Sequence, residues 1–356
     1  MNKDTLIIKA MEGIELSPTM ENNAREKYEA IYNYIDGAGQ QYDFKPQGSF
    51  LIGTAIRPLK DGKDGNYDLD VLAISRLPKN QITPKDVKHN IGDCLKQNKI
   101  YLERLEDEDD NCWTIQYADV SDGVGFALDI VPSVKEYSLG EMKAVSITQK
   151  NGDVYDWKYS SSLVFADWFL EINGKFLTNE LIQRERERLI SNKVYASIDD
   201  IPTFAYKTNL QRAVQFIKRH RDIFYDRSQS NKPSTVLITA LVTDAVKDTP
   251  LLSISDIIDM FTNKIMYDVI SIKNGKVVSN PIDPSEDLAA GMTEKDWSTF
   301  NRWILNLEKL FKDSEERTFK HGLHNNINTK AFPELIMSAT KSVSPVKPWR
   351  NNIGRI

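Results

Sequence analysis

The residues of this chain best suited to chemistry are a pair of aspartates and a small-residue turn just upstream of them. Asp68 and Asp70 stand two apart, with Leu69 between them and Tyr67 and Val71 outside. Such alternation is the mark of a half-buried strand, so both carboxylates point to one side and the apolar residues to a core. Two carboxylates aimed the same way repel by roughly 1 kcal/mol at 4 Å in water and about 4 kcal/mol at an effective dielectric of 20. A divalent cation removes that cost, and Mg²⁺ prefers carboxylates combined with phosphate oxygens. Upstream, Gly48-Ser49 reads as a turn with free backbone N–H groups. Alone, Asp-x-Asp is most often a solvated sheet face and Gly-Ser a turn. In this order, and with a third carboxylate downstream, they point to a turn that holds a triphosphate and a strand that holds its metal.

The third carboxylate is Asp129. Cys112 to Val120 alternates as a strand, Ser121-Asp122-Gly123 turns, and Val124 to Val131 returns as its hairpin partner. Val124, Phe126, Leu128 and Ile130 share one face of that strand, and Asp129 has the opposite parity. A lone acid in so apolar a strand needs a partner or a metal. If the strand lies beside the Asp68/Asp70 strand, the three carboxylates form a ligand set for two metals in phosphoryl transfer. Two further residues have double readings. Lys218 lies on a basic helix, NLQRAVQFIKRHRDIFY, as either a surface charge or a point charge for a triphosphate. Ser234 opens the apolar helix TVLITALVTDAV, as a cap alone or as a cap that also meets a phosphate.

The elements that must position these residues follow from the pattern around them. A helix opens at Ser17-Pro18 with a stripe of Ala24, Tyr28, Ile31 and Ile35, and Gly37 closes it. Tyr42 to Phe44 is a short strand leading into the turn, and Leu51 to Ile56 carries on as strand until Pro58. A second helix starts at Thr83-Pro84. Beyond Lys158 the pattern turns helical, and residues 279–288 form a two-proline loop rich in acceptors. Strands therefore concentrate before about residue 160 and helices after it. This segregation predicts an α+β protein of two lobes, 1–160 and 161–356, with the cleft between them as the ligand site. After Glu334 no acid remains, so the chain ends in a basic tail that includes Lys341 and Arg350.

Composition bounds the function. The chain has 356 residues, 40% of them apolar and 27% charged, as in a soluble globular protein. Its net charge of −5 argues against a whole-molecule nucleic-acid binder. Cys94 and Cys112 lie 18 apart with no histidine at metal-ligand spacing, so a structural zinc site has no support and two reduced thiols are the simpler expectation. None of the four histidines stands in a nucleophile motif. No apolar run approaches the roughly 20 residues of a membrane span, so a cytoplasmic protein without a membrane partner is expected.

The blocks QGS, TAIRP, YDLDV, FALDIVPS, LQRAVQFIKRHRD, KPSTVLITAL and NPIDPSEDLA, in that order over roughly residues 40 to 310, resemble a known family. It is the bacterial CD-NTases, the DncV-like nucleotidyltransferases related to cyclic GMP-AMP synthase and oligoadenylate synthase, which belong to the polymerase-β-like superfamily. The resemblance implies a polymerase-β-like lobe with a mixed sheet, completed by a helical C-terminal lobe. It implies a cyclic di- or trinucleotide second messenger made from NTPs, with pyrophosphate released, in anti-phage defence. Gln47 and Ser49 would contact the donor's phosphates, and Gly48 would let the backbone approach them. Asp68 and Asp70 would bind two Mg²⁺ ions, for which Mn²⁺ could substitute, and Asp129 would bind the catalytic ion. Lys218 and Ser234 would hold the triphosphate. Implied partners are ATP, GTP or pyrimidine NTPs, an effector that senses the product, and a regulatory protein. The chain lacks the zinc-binding insertion of the animal DNA sensor, so DNA is not expected as an activator. Its Lys60–Asn66 loop also lengthens the interval between Gly-Ser and the first aspartate. Two other readings stay open: a linear oligonucleotide synthase or single-nucleotide transferase acting on RNA or protein, and a nucleotide-binding module without turnover.

Overall fold

The computed structural model describes residues 2–60, 63–121, 124–136, 144–184, 206–226, 228, 230–271, 277–312, 315–328, 330–333 and 335. The Asp122-Gly123 turn and most of the basic tail lie outside them.

The chain opens with α1 (Lys3–Met11), for which the sequence pattern gave no expectation, and α2 (Pro18–Gly37). Ser17 caps α2 by accepting from Met20 N, and the predicted stripe Ala24, Tyr28, Ile31 and Ile35 is its buried face. Strand β1 (Tyr42–Pro46) leads to α3 (Gly48–Leu51), then a two-residue ribbon, β2 (Leu59–Lys60) and β3 (Lys63–Asp64). β4 (Tyr67–Ser75), α4 (Pro84–Lys96), α5 (Lys99–Leu102), β5 (Trp113–Ser121), β6 (Val124–Lys135), β7 (Val145–Asn151) and β8 (Val154–Ser160) complete the first half.

These strands make one mixed sheet in the order β1-β4-β6-β7-β8, with β5 also on β6. Among the described strands only β4 and β6 pair in parallel; the other pairs of this sheet are antiparallel. One face of the sheet is the core. Tyr67, Leu69 and Val71 of β4 and Phe126, Leu128 and Ile130 of β6 pack there with the stripes of α2 and α4. The other face begins with aspartates and ends in a small cluster of Leu72, Ile74, Val131 and Val145.

The second half is helical: α6 (Ser162–Gly174), α7 (Asn209–Tyr225), α8 (Thr235–Val246), α9 (Ile254–Ser271), α10 (Glu294–Lys312) and α11 (Glu316–Asn326). A short hairpin, β9 (Ser279–Asn280) and β10 (Asp283–Asp287), stands where a loop was expected. Ile7, Ala10 and Met11 of α1 pack into this helical core. α7 is its axis: it carries a full capping box at Thr208/Gln211 and is buried on nearly every side.

One local expectation is corrected. Leu51 to Ile56 is not a strand: Gly48–Leu51 is one helical turn, and Ile56 makes a single bridge to Glu15. The carbonyls of this segment are taken by side chains of α7 in place of a neighbouring strand. The acidic run 103–110 is partly pinned. Glu108 accepts from Lys150 and Tyr155, and the carbonyls of Asp109 and Asp110 hold the buried Lys88 ammonium. Cys94 and Cys112 are both free thiols. Among the described residues no helix is long and apolar enough to cross a membrane.

Candidate active site

Asp68 and Asp70 lie on the face of β4 opposite its core residues; Tyr67, Leu69 and Val71 are buried, Asp68 is exposed and Asp70 half-buried. The register of the parallel pair places Asp70 directly against Asp129, and Asp68 against Ala127. Paired residues of adjacent strands project to the same side, so all three carboxylates share one face. Thr114 of β5, which faces Asp129 across the antiparallel ladder, donates its hydroxyl to Asp129 Oδ1 at 2.6 Å.

The carboxylates feel each other. Exposed as Asp68 is, partial desolvation by its surroundings and repulsion from Asp129 push it up to about 6. Burial, then Asp129 and Asp68, push Asp70 up to about 7 against the pull of Lys218. Burial also raises Asp129, while the Thr114 hydrogen bond works the other way. Like charges held together at this cost are what a hard, oxygen-seeking dication would relieve, so the donor chemistry suits a divalent cation. Among the described residues no three acidic, histidine or cysteine side chains form a ready-made metal cage. The aspartates instead line an open face, where the remaining ligands would come from phosphate and water.

The turn is joined to this face. Gln47 N donates to Asp70 O at 2.9 Å, extending the β1–β4 ladder by one rung. Gly48 takes φ +63°, and a Cβ there would stand 2.6 Å from Asp70 Oδ2. Only glycine gives both the left-handed backbone and the clearance. Ser49 follows, half-buried. The Gln47 side chain is held by Ser162 at the start of α6, whose hydroxyl donates to Oε1 at 2.8 Å.

Lys218 is buried. Its ammonium donates to Thr54 O at 2.8 Å, and burial, with Arg221 nearby, lowers its pKa to about 7 although Asp222 and Asp70 oppose the shift. Ser234 is exposed and caps α8 by accepting from Leu237 N at 3.1 Å. Its turn is braced from α7: Arg221 Nη1 donates to Pro233 O at 2.9 Å, and Lys232 donates to Asp222 Oδ1 at 3.2 Å. Arg221 and Asp222 are themselves paired at 2.7 Å and buried.

A cavity opens beside Gly48 and Ser49. Its walls include Lys158, Tyr159, Ser161, Phe165, Thr235, Thr239, Asn280 and Glu286. The structure thus brings Gly48, Ser49 and the start of α8 to one cavity, with Asp70 against Gly48. The β9–β10 hairpin closes one side through Asn280, whose amide donates to Glu286 Oε2 at 2.6 Å. Asp283 and Asp287 of the same stretch serve turns, accepting from Ser285 N and from Val278 N and Ala289 N. Sequence reasoning missed Thr114, Ser162, Asn280 and Glu286. The first two act across strands or lobes and leave no local signal. The last two lay in the block NPIDPSEDLA, and its place among the resembling blocks was the available clue.

No protein-family model matches the chain. A c-di-GMP synthase of Roseivirga ehrenbergii is 27% identical over 330 residues, covering 90% of this chain and 81% of that protein. The cyclic dinucleotide synthase CdnG of Bradyrhizobium diazoefficiens is 25% identical over 251 residues, 66% of this chain and 57% of that one. The solved structure of that CD-NTase CdnG with GTP superposes with a TM-score of 0.72 at 21% identity, covering 96% of this chain and 99% of the other. CdnC of E. coli MS115-1, solved in a complex with HORMA-deltaN, gives 0.61 at 11% identity over 92% and 97% of the two chains. The fold is the one these solved CD-NTases share: a mixed sheet carrying the acids, faced by a helical lobe. In sequence the chain is similar to the two cyclic dinucleotide synthases, and in fold to the CD-NTases CdnG and CdnC.

Proposed function

We propose that this protein is a cyclic dinucleotide synthase that joins two NTPs through their ribose hydroxyls, releases pyrophosphate at each step and closes the ring. The observation that carries this reading is the register of β4 on β6, which sets Asp70 against Asp129 with Asp68 on the same face and Gly48 in contact. Asp68, Asp70 and Asp129 would hold two divalent cations, Mg²⁺ by preference and Mn²⁺ as a substitute. When bound, these neutralise the donor phosphates, favour the attacking alkoxide and take up charge on the pyrophosphate.

The chain's own residues do the rest. Thr114 occupies Asp129 Oδ1 and leaves Oδ2 to take the proton of the attacking hydroxyl. Gly48 and Ser49 receive the donor's phosphates through backbone N–H groups and the Ser49 hydroxyl, with Gln47 held in place by Ser162. Lys218 and Ser234 hold the outer phosphates from the helical lobe. Lys218 keeps its proton more readily once an anion faces it, since its buried pKa is about 7. The catalytic effect is positioning and charge neutralisation.

GTP is the substrate this reading favours. Guanine offers N1–H and N2–H donors on one edge, and Glu286 places a carboxylate on the cavity wall beside the phosphate turn. The name of the Roseivirga relative points the same way. Anti-phage signalling through an effector is proposed on the family likeness. A regulatory partner is proposed on the CdnC complex.

The test is direct. The purified protein is incubated with each NTP and Mg²⁺, the products are treated with phosphatase, and the survivors are weighed by mass spectrometry. A phosphatase-resistant cyclic dinucleotide, absent with Asp70→Asn, supports the reading. Linear or protein-bound nucleotide products would replace it.

A further inference from the structure

The side of α7 that faces the phosphate turn is lined with hydrogen-bond donors. Gln211 Nε2 donates to Ile52 O at 3.0 Å and Gln215 Nε2 to Ala55 O at 2.9 Å. Lys218 donates to Thr54 O at 2.8 Å, and Arg219 Nη1 to Arg57 O at 3.2 Å. Positions 211, 215, 218 and 219 are spaced i, i+4, i+7 and i+8, which is one face of a helix. All four residues are buried, none more than 5% exposed. The carbonyls they hold belong to the segment that follows the turn. That segment returns to the turn through its own backbone, with Thr54 N donating to Ser49 O at 2.9 Å and Ile52 N to Gly48 O at 3.4 Å. Two of the gripped carbonyls, those of Ile52 and Thr54, therefore belong to residues whose own N–H groups bond the turn. Gly48, in turn, abuts Asp70.

Satisfying these carbonyls is the first role of this face. A net hydrogen bond contributes about 0.5–1.5 kcal/mol, and a buried polar atom left unpaired costs about 1–3 kcal/mol. Gln215 Oε1 and Thr54 Oγ1 are such atoms, buried with no hydrogen-bond partner among the described residues. Aliphatic side chains at 211 and 215 would leave the carbonyls of Ile52 and Ala55 without these partners, so the rungs satisfy the backbone as well as holding it. What the polar ladder adds is direction: each rung fixes a carbonyl at one height along the helix.

We propose that Gln211 and Gln215 are positioning residues that set the Gly48–Ser49 turn at its height over the aspartate face. Through them the alignment of the helical lobe and the grip on the donor phosphates become one variable. This rests on reading that turn as the phosphate site. Lys218 is then a rung with two roles. When it leaves Thr54 to meet a phosphate the ladder loses one bond, and the glutamines keep the segment in place.

The test uses the full chain with Gln215→Leu, and Gln215→Met as a milder variant of similar length. Amide hydrogen exchange over residues 49–57, KM and kcat for the NTP, and the thermal midpoint are measured for each. The proposal expects exchange in that segment to quicken about tenfold or more. It expects KM to rise about tenfold with kcat changed less, and exchange in α4 and β5 to stay as in the wild type. Unchanged exchange and KM in either folded variant, with only a lower midpoint, would overturn it. The exchange readout needs no turnover, so it stands apart from the functional reading. A wild-type chain that turns over no NTP overturns the phosphate role of the turn. An active wild type with indifferent variants overturns the ladder alone.

Discussion

Single residues at the site have surroundings that leave them few alternatives. Gly48 combines φ +63° with no space for a Cβ beside Asp70 Oδ2. Gly48→Ala should cost about 1–2 kcal/mol in backbone strain and displace Asp70, lowering activity a hundredfold or more. A urea titration and an initial-rate assay would show both; an alanine variant with wild-type rates would mean the turn has slack that the structure does not show. Thr114→Val removes the hydroxyl that orients Asp129 and keeps the shape of the side chain. Its expected effect is a drop of about tenfold in kcat with little change in KM or thermal midpoint, measurable in steady-state assays. The facing of each aspartate away from its strand's apolar side was legible because strand parity is a property of sequence: Leu69 between Asp68 and Asp70, and Leu128 and Ile130 about Asp129. Thr114 was not, because its role depends on the register of β5 against β6. Lys218 was seen only as a charge. Its burial and its bond to Thr54 O come from the way α7 crosses the other lobe.

Elements that opened with a capping residue were the readable ones. Ser17-Pro18 and Thr83-Pro84 start helices where the caps predict, and the stripes of α2 and α4 are the buried faces. The segment after Gly48 was misread as strand because its apolar residues imitate one. A helix's side chains, not a strand's backbone, satisfy its carbonyls, and no local pattern encodes that. Packing between α4 and the sheet gives a test away from the active site. A Cβ at Gly92 would lie 2.2 Å from the Trp113 ring, which is fixed by a hydrogen bond from its indole N–H to Lys88 O. Gly92→Ala should destabilise the fold by about 1–3 kcal/mol through overpacking. Rates per folded molecule should hold, as judged by denaturant midpoint and active-site titration.

For the whole molecule, the separation of a strand-rich half from a helical half was visible in the order of patterns along the chain. The joining of the halves by α7 was not, because Gln, Lys and Arg on a helix read as a solvated face. Deep in the helical lobe, His220 accepts from the Trp303 indole N–H at 2.9 Å, and burial holds its pKa down to about 3. An unfolded histidine titrates near 6.5. As pH falls below that value the unfolded chain takes a proton that the folded chain refuses. Stability should therefore fall by up to about 1.4 kcal/mol per pH unit on the way toward pH 3. His220→Gln keeps an acceptor for Trp303 and should lose less stability between pH 7 and 5 than the wild type in urea titrations. Parallel curves for the two would assign the acid sensitivity to other groups.

The claim on which the rest depends is that Asp68, Asp70 and Asp129 act together as one metal-binding face. Mn²⁺ bound per chain, counted by electron paramagnetic resonance in the presence of a non-hydrolysable GTP analogue, tests it without any turnover. Two ions in the wild type and fewer in Asp129→Asn, at unchanged thermal stability, is the predicted result. The same count in both proteins, or no bound ion in the wild type, would contradict it.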